Sequence, residues 1–286
     1  MPKTLLKRAL VVSALAAVGA TGIVAPAQAS GYHDEPDNIA HHGASGEAPE
    51  NTLRAIRRAF NQGADAVEIE IQRTADGVLV ALQDRSLART TNVEEVFPDR
   101  APWDVDTFTA AEIRQLDAGS WFDPRLAGQR VPTLDQVIDE VGAYRGLVVD
   151  LSAAFVHPGI EQDLAEELLD HSWYLNCVQR NGNLLVQSTD SGVVSGFHDL
   201  LPGVRVGVIH EFRPADETLV ENAATLDRVD VEARWTDQAL VDRAHELGLE
   251  LVVHTVDTSD RMTFFAGLGV DGIATSLPRL LDQVVD

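Results

Sequence analysis

The sequence holds a single cysteine, Cys177, so no intrachain disulfide can form and no Cys-x-x-Cys metal or redox motif exists. Basic residues are also scarce. Lys and Arg total 22 against 45 Asp and Glu, a formal charge of −23, which argues against DNA or RNA as a partner. After Ser30 no segment is apolar enough to cross a bilayer, so no stable membrane span is expected in the mature chain. Repeats of solenoid period and low-complexity linkers are missing too, and residues 30–286 read as one domain. What is present is ordinary globular material, 45% hydrophobic and 23% charged, long enough to bury a large core. A catalytic metal in such a chain would draw on oxygen and nitrogen ligands.

Residues 1–29 read as a secretory signal peptide: a basic start at Lys3, Lys7 and Arg8, an apolar stretch from Ala9 to Ala25, and a small-residue cleavage pattern at Ala27-Gln28-Ala29. The stretch is rich in Ala and Gly and falls short of the roughly 20 strongly apolar residues of a spanning helix. The expectation is cleavage near Ala29 and a secreted, extracellular chain.

From Asn38 onward, short apolar or alternating runs are followed by segments with helical spacing, the pattern of βα units around a parallel sheet. Strands are expected at residues 38–41, 66–72, 147–151, 184–187, 205–209, 229–232, 250–254 and 272–274, with helices among them at 52–62, 159–171, 237–247 and 259–267. Gly63, Gly248 and Gly269 stand at or near helix stops. Eight such units match an α/β fold of the TIM (β/α)8 type, with a doubly wound sheet as the alternative. Residues 77–82 look like an extra strand, and residues 90–129, with little periodicity, read either as an insertion capping one barrel mouth after the second strand or as a long surface loop.

The chemistry concentrates in Ala66-Val67-Glu68-Ile69-Glu70-Ile71-Gln72. Period-two alternation puts Val67, Ile69 and Ile71 on one face and Glu68 and Glu70 on the other. In a barrel the apolar face meets the helices and the two acids point inward. Carboxylates so placed repel and are costly to desolvate, which calls for a shared divalent cation or a proton. Asp150 closes the next apolar run, Leu147-Val148-Val149, at a strand end where barrel enzymes carry catalytic groups. It reads as a third ligand or, alternatively, as a helix N-cap. His41 and His42 follow Ile39-Ala40 at another strand end, where a general acid or base could stand. His254 ends the run Glu250-Leu251-Val252-Val253 and reads either as a site residue at the same mouth or as a hydrogen-bonded core histidine. The six histidines at 33, 157, 171, 198, 210 and 245 are given no role.

These residues occur in a recognisable order. Ile39-Ala40-His41-His42-Gly43, Pro49-Glu50-Asn51-Thr52, Glu68-Ile69-Glu70-Ile71, Thr74-Ala75-Asp76-Gly77, Asp84 with Leu87-Ala88-Arg89-Thr90-Thr91, Leu116-Asp117-Ala118-Gly119-Ser120-Trp121-Phe122 and Gly269-Val270-Asp271-Gly272-Ile273 together resemble the glycerophosphodiester phosphodiesterase family across the chain after residue 29. The resemblance implies a TIM barrel, a divalent cation (Ca2+ or Mg2+), and hydrolysis of a small-molecule phosphodiester to an alcohol and glycerol 3-phosphate. It implies His41 as the first catalytic histidine and Glu68, Glu70 and Asp150 as metal ligands. The reaction it implies uses two histidines as acid and base while a substrate hydroxyl attacks phosphorus. Gln83 stands where the family has its second catalytic histidine, His42 where it has a phosphate-binding arginine, and Ser152 where it has a lysine. His42 and His254 are therefore the expected substitutes for the missing acid/base. The rival reading is a barrel that binds a metal or phosphodiester without turnover. A lipid-headgroup hydrolase of the venom phospholipase D type ranks last, since the disulfide-linked loop of that class cannot form here.

Overall fold

The computed structural model describes residues 35–285. The expected leader, residues 1–29, lies outside the described residues. Strand β1 (Asp37–His41) leads through α1 (Leu53–Phe60) to β2 (Ala66–Arg73) and a short β3 (Leu79–Ala81). After the short helices α2 (Val93–Val96) and α3 (Ala110–Ile113) come α4 (Leu134–Val141), β4 (Gly146–Asp150), α5 (Ile160–Asp170), α6 (Ser172–Asn181), β5 (Leu184–Ser188) and α7 (Ser191–Leu200). The chain continues with β6 (Arg205–His210), α8 (Asp216–Asn222), β7 (Arg228–Glu232), α9 (Gln238–Glu246), β8 (Glu250–His254), α10 (Ser259–Leu268), β9 (Gly272–Thr275) and α11 (Pro278–Val285).

Every strand except β3 runs parallel to its neighbours, and β1 pairs with both β2 and β9, which closes the sheet into a (β/α)8 barrel and excludes the doubly wound alternative. β3 pairs antiparallel with the outer end of β2. The helices start where short polar side chains can cap them. Thr52 accepts from the Ala55 N–H, and Thr133 forms a reciprocal capping box with Gln136. At the other ends Gly63, Gly248 and Gly269 take φ values of 86°, 79° and 76°, which side-chain-bearing residues rarely adopt.

Alternation along the strands divides the core in two. Val67, Ile69, Ile71, Leu147, Val149, Val229, Val231, Leu251 and Val253 face outward and pack with the helices in the main hydrophobic cluster. Inside the barrel a smaller apolar plug of Ile39, Val148, Leu185, Val252 and Ala274 fills one layer. Gly272 makes room for it, because a Cβ there would lie 3.0 Å from Val252 and 3.1 Å from Ile39. Toward the C-terminal strand ends the interior turns polar. The segment between β3 and α4 has its own apolar cluster, including Leu87, Val93, Phe108, Ile113 and Leu116, so it is a packed excursion rather than a bare loop. Among the described residues no helix is long and apolar enough to cross a membrane.

Candidate active site

Register gathers the expected residues at one end of the barrel. His41 is paired with Glu68, Glu70 with Asp150, and Glu232 with His254; His41, Asp150, Glu232 and His254 end their strands, while Glu68 and Glu70 lie within the longer β2. Registered partners in a parallel sheet share a face, so the chain positions that alternate away from Val67, Ile69 and Ile71 all enter the lumen.

Glu68 is 5% exposed and Asp150 3%. Burial pushes the Glu68 carboxyl up to about 7, with Asp230 adding to the effect and Arg228 opposing it. Burial likewise raises Asp150 to about 7, reinforced by the charge of Glu68, while hydrogen bonds from Ser152 pull the other way. Glu70 is held well above the usual carboxylate range, first by burial and then by the negative charges of Asp150 and Glu68. Glu70 thus lies in the field of Glu68 and Asp150, and Asp150 in that of Glu68. Asp150 is not the N-cap of the 3-10 turn that follows, a position Leu151 takes without a side-chain cap; its Oδ1 accepts the Ser152 N–H at 2.6 Å and the Ser152 hydroxyl at 2.5 Å.

The histidines occupy the same space. The His41 and His42 rings stack with centroids 3.8 Å apart, and one potential ligand atom from each of His41, His42 and Glu68 lies within 4.8 Å of the others. Burial lowers the pKa of His41 against the pull of Asp257 and Glu50, and lowers that of His42 further, with His41 and Arg89 contributing. His42 sits at φ 57°, a left-handed conformation that costs a non-glycine residue of order 1 kcal/mol. The carbonyl of His42 accepts the N–H of Asn51, itself at φ 55°. His254 is half-buried, its Nε2 has no hydrogen-bond partner, and burial lowers its pKa against the raising effect of Asp230. The hydrogen-bonded core alternative for that nitrogen is therefore not what the geometry contains.

Gln83 is exposed and borders a cleft of about 160 Å³ lined also by Glu70, Gln72, Arg85, Ser152 and Phe155. Its Oε1 accepts from Arg89 at 3.0 Å, and its backbone carbonyl accepts from Gln72 at 2.9 Å. Arg89 also makes a bidentate pair with Glu50, at 2.9 and 2.6 Å, and binds Asp84. This cation at the mouth was missed as a site residue, although it lies within a stretch that carried the resemblance. Also missed was the interior pair on β7, where Arg228 binds Asp230 and donates to Gln187 at 2.6 Å. The alternation Arg228-Val229-Asp230-Val231-Glu232 carries the same signal as the one that exposed Glu68 and Glu70.

The fit to a divalent cation can be tested on these groups. Glu68 and Asp150 are buried and Glu70 is half-buried, and Glu70 Oε2 itself is buried without a hydrogen-bond partner. Oxygen donors in excess of available protons and cations are what a hard or borderline dication requires, so the donor set fits.

A closed (β/α)8 barrel with acids and histidines at its C-terminal mouth has the placement of a barrel-enzyme active site. The sequence profile of the glycerophosphoryl diester phosphodiesterase family matches residues 41–280, and the chain belongs to that family. It is 31% identical over 266 residues to a glycerophosphodiester phosphodiesterase of Bacillus subtilis, covering 87% of each chain. It is also 31% identical to one from Caldanaerobacter subterraneus subsp. tengcongensis, covering 86% of this chain and 96% of that one. Among solved structures, the Agrobacterium tumefaciens glycerophosphodiester phosphodiesterase superposes with a TM-score of 0.69 at 25% identity, over 87% of this chain and 100% of that one. An Oleispira antarctica phosphodiesterase, solved in complex with sn-glycerol-3-phosphate, shares the fold with a TM-score of 0.72 at 22% identity, over 88% and 97%.

Proposed function

We propose that the protein hydrolyses glycerophosphodiesters at this mouth to an alcohol and glycerol 3-phosphate, with Glu68, Glu70 and Asp150 holding a divalent cation. The observation that carries the reading is Glu68 beside His41 and His42, one ligand atom of each within 4.8 Å of the others, together with Glu70, whose carboxyl is held up by the charges of Asp150 and Glu68. A cation bound there supplies Lewis-acid stabilisation of the charge that develops on the phosphate's nonbridging oxygens.

The chain's own groups divide the remaining work. Burial disfavours the His41 imidazolium, so the neutral ring can take the proton of a substrate hydroxyl as that oxygen attacks phosphorus; the alcohol leaves, a cyclic glycerol phosphate forms, and water then opens it to glycerol 3-phosphate. Gln83 cannot return a proton to the leaving alkoxide, because a carboxamide does not titrate near neutrality. His254, with an unpartnered Nε2 at the end of β8, is assigned that transfer. Arg89, anchored by Glu50 and Asp84 at the lip, draws an anionic substrate toward an otherwise acidic mouth. The expected leader extends the proposal to action outside the plasma membrane, and N-terminal sequencing of protein recovered from culture medium would test cleavage near Ala29.

The activity is tested by incubating the purified chain with glycerophosphocholine and Mg2+, Ca2+ or Zn2+ and assaying glycerol 3-phosphate. Product that disappears on chelation and in Glu70→Gln supports the proposal. Tight ion binding without product from any glycerophosphodiester would replace it with a ligand-binding barrel.

A further inference from the structure

We infer that His42 is itself a ligand, making the ion site a mixed imidazole–carboxylate centre suited to Zn2+ or a similar transition metal rather than to Ca2+ or Mg2+. The inference rests on the cation site proposed above and concerns which ion this chain's own residues select.

His42 Nε2 lies 3.4 Å from Glu70 Oε2. Both atoms are buried, and neither has a hydrogen-bond partner. A charge-assisted hydrogen bond would bring nitrogen and oxygen to about 2.8 Å, so the two face each other without closing the contact. Two donors bound to one tetrahedral ion at about 2.0–2.1 Å from the metal stand about 3.4 Å apart. The pair therefore spaces its nitrogen and oxygen as the edge of such a coordination shell would.

The surroundings are consistent with a ligand cage. The whole His42 residue is 3% exposed, and its backbone is held in the left-handed region, with its carbonyl pinned by the Asn51 N–H. The ring is thus fixed toward the acids rather than free to swing to solvent. Ligand atoms of His41 and Glu68 lie within the same 4.8 Å grouping. Ca2+ and Mg2+ take oxygen ligands almost exclusively, whereas imidazole beside carboxylate suits Zn2+ and its neighbours. Replacing an arginine by a histidine at this position removes a fixed positive charge that would repel an ion and puts a donor in its place.

The test compares two ions on one protein. The metal-stripped chain is titrated calorimetrically with Zn2+ and, separately, with Mg2+, for the wild type, His42→Gln and Glu70→Gln. Loss of the His42 ligand is expected to weaken Zn2+ binding by about 10–100-fold while changing Mg2+ binding by less than about 3-fold. Glu70→Gln is expected to weaken both. X-ray absorption of the Zn2+-loaded wild type provides a readout that needs no variant, with imidazole scattering expected in its outer shells and one ring fewer in His42→Gln. Zn2+ binding that is unchanged in His42→Gln, that falls in step with Mg2+, or that shows no imidazole scattering overturns the inference. None of these readings depends on turnover: absence of hydrolysis with every ion would defeat the proposed function, while the differential titration would still decide the role of His42.

Discussion

Arg228 and Asp230, two residues apart on β7, are bound to each other inside the barrel. Nε donates to Oδ1 at 2.6 Å and Nη2 to Oδ2 at 2.9 Å, and the residues are 5% and 1% exposed. The pair sits beneath the acidic mouth and acts on it, since Asp230 raises the Glu68 pKa and Arg228 lowers it. Arg228→Met would leave Asp230 buried without a countercharge and is expected to cost about 3–5 kcal/mol of stability. The double variant Arg228→Met with Asp230→Leu removes both charges and should lose less than the single one. Urea denaturation of both decides the matter, and a double variant less stable than the single would show that the pair is not the source of the loss.

Metal removal exposes a dependence on pH. Glu68 and Asp150 are raised from 4.5 and 3.8 to about 7, and Glu70 is raised well above 4.5. Between roughly pH 4 and 7 the folded, metal-free chain therefore binds more protons at these sites than the unfolded chain, and their contribution to stability falls as pH rises. His41, His42 and His254 act in the opposite sense, since their lowered values make the folded chain bind fewer protons near pH 6. Comparing wild type with Glu70→Gln isolates the carboxylate part. In chelator the variant should show the shallower loss of stability between pH 5 and 8, and saturating divalent cation should remove the difference. Identical pH profiles in chelator would contradict the coupling of the three acids.

Much of this arrangement is legible in the chain because period-two alternation fixes which side chains share a face. Val67, Ile69 and Ile71 place Glu68 and Glu70 inside as soon as the sheet is known to curl. Closure itself is not legible, because strands buried on both faces read alike in a barrel and in a doubly wound sheet; it is settled only by the pairing of β1 with β2 and β9. The same limit hid Arg89, whose partner Glu50 is 39 residues away and comes from a different loop. The orientation of His42 was also beyond reach, since a left-handed backbone at a histidine has no marker in residue type.

Gly43 follows His42 at φ 79°, packed so that an added Cβ would lie 2.7 Å from the Ala55 carbonyl carbon and 2.8 Å from its Cβ. That neighbour belongs to α1 and cannot yield as a flexible side chain could. Gly77, at φ 84°, has open space at the corresponding position. Gly77→Ala should therefore lose only the conformational cost, about 1 kcal/mol, whereas Gly43→Ala adds an overpacking cost of about 1–3 kcal/mol and displaces His42. Chemical denaturation should rank them in that order, and calorimetric Zn2+ binding should weaken in Gly43→Ala alone. Equal losses of stability would count against the close approach.

Gln83 offers the gain-of-function test. It borders the same cleft as Glu70, its backbone carbonyl is fixed by Gln72, and only its side-chain oxygen is engaged, by Arg89. Gln83→His therefore keeps the local backbone support and adds a ring that can carry a proton. The Arg89 cation would lower the pKa of that ring, which makes its imidazolium a stronger acid toward the leaving alkoxide. If proton transfer to or from that side of the phosphate limits turnover, the variant should hydrolyse glycerophosphocholine about 10²–10⁴-fold faster than wild type. The rate profile should gain a new limb near neutral pH, while Gln83→Asn, equally polar but unable to titrate, should gain nothing. An unchanged kcat in a folded Gln83→His protein would show that His254 or His41 already supplies the second transfer, and the slow step would then lie elsewhere.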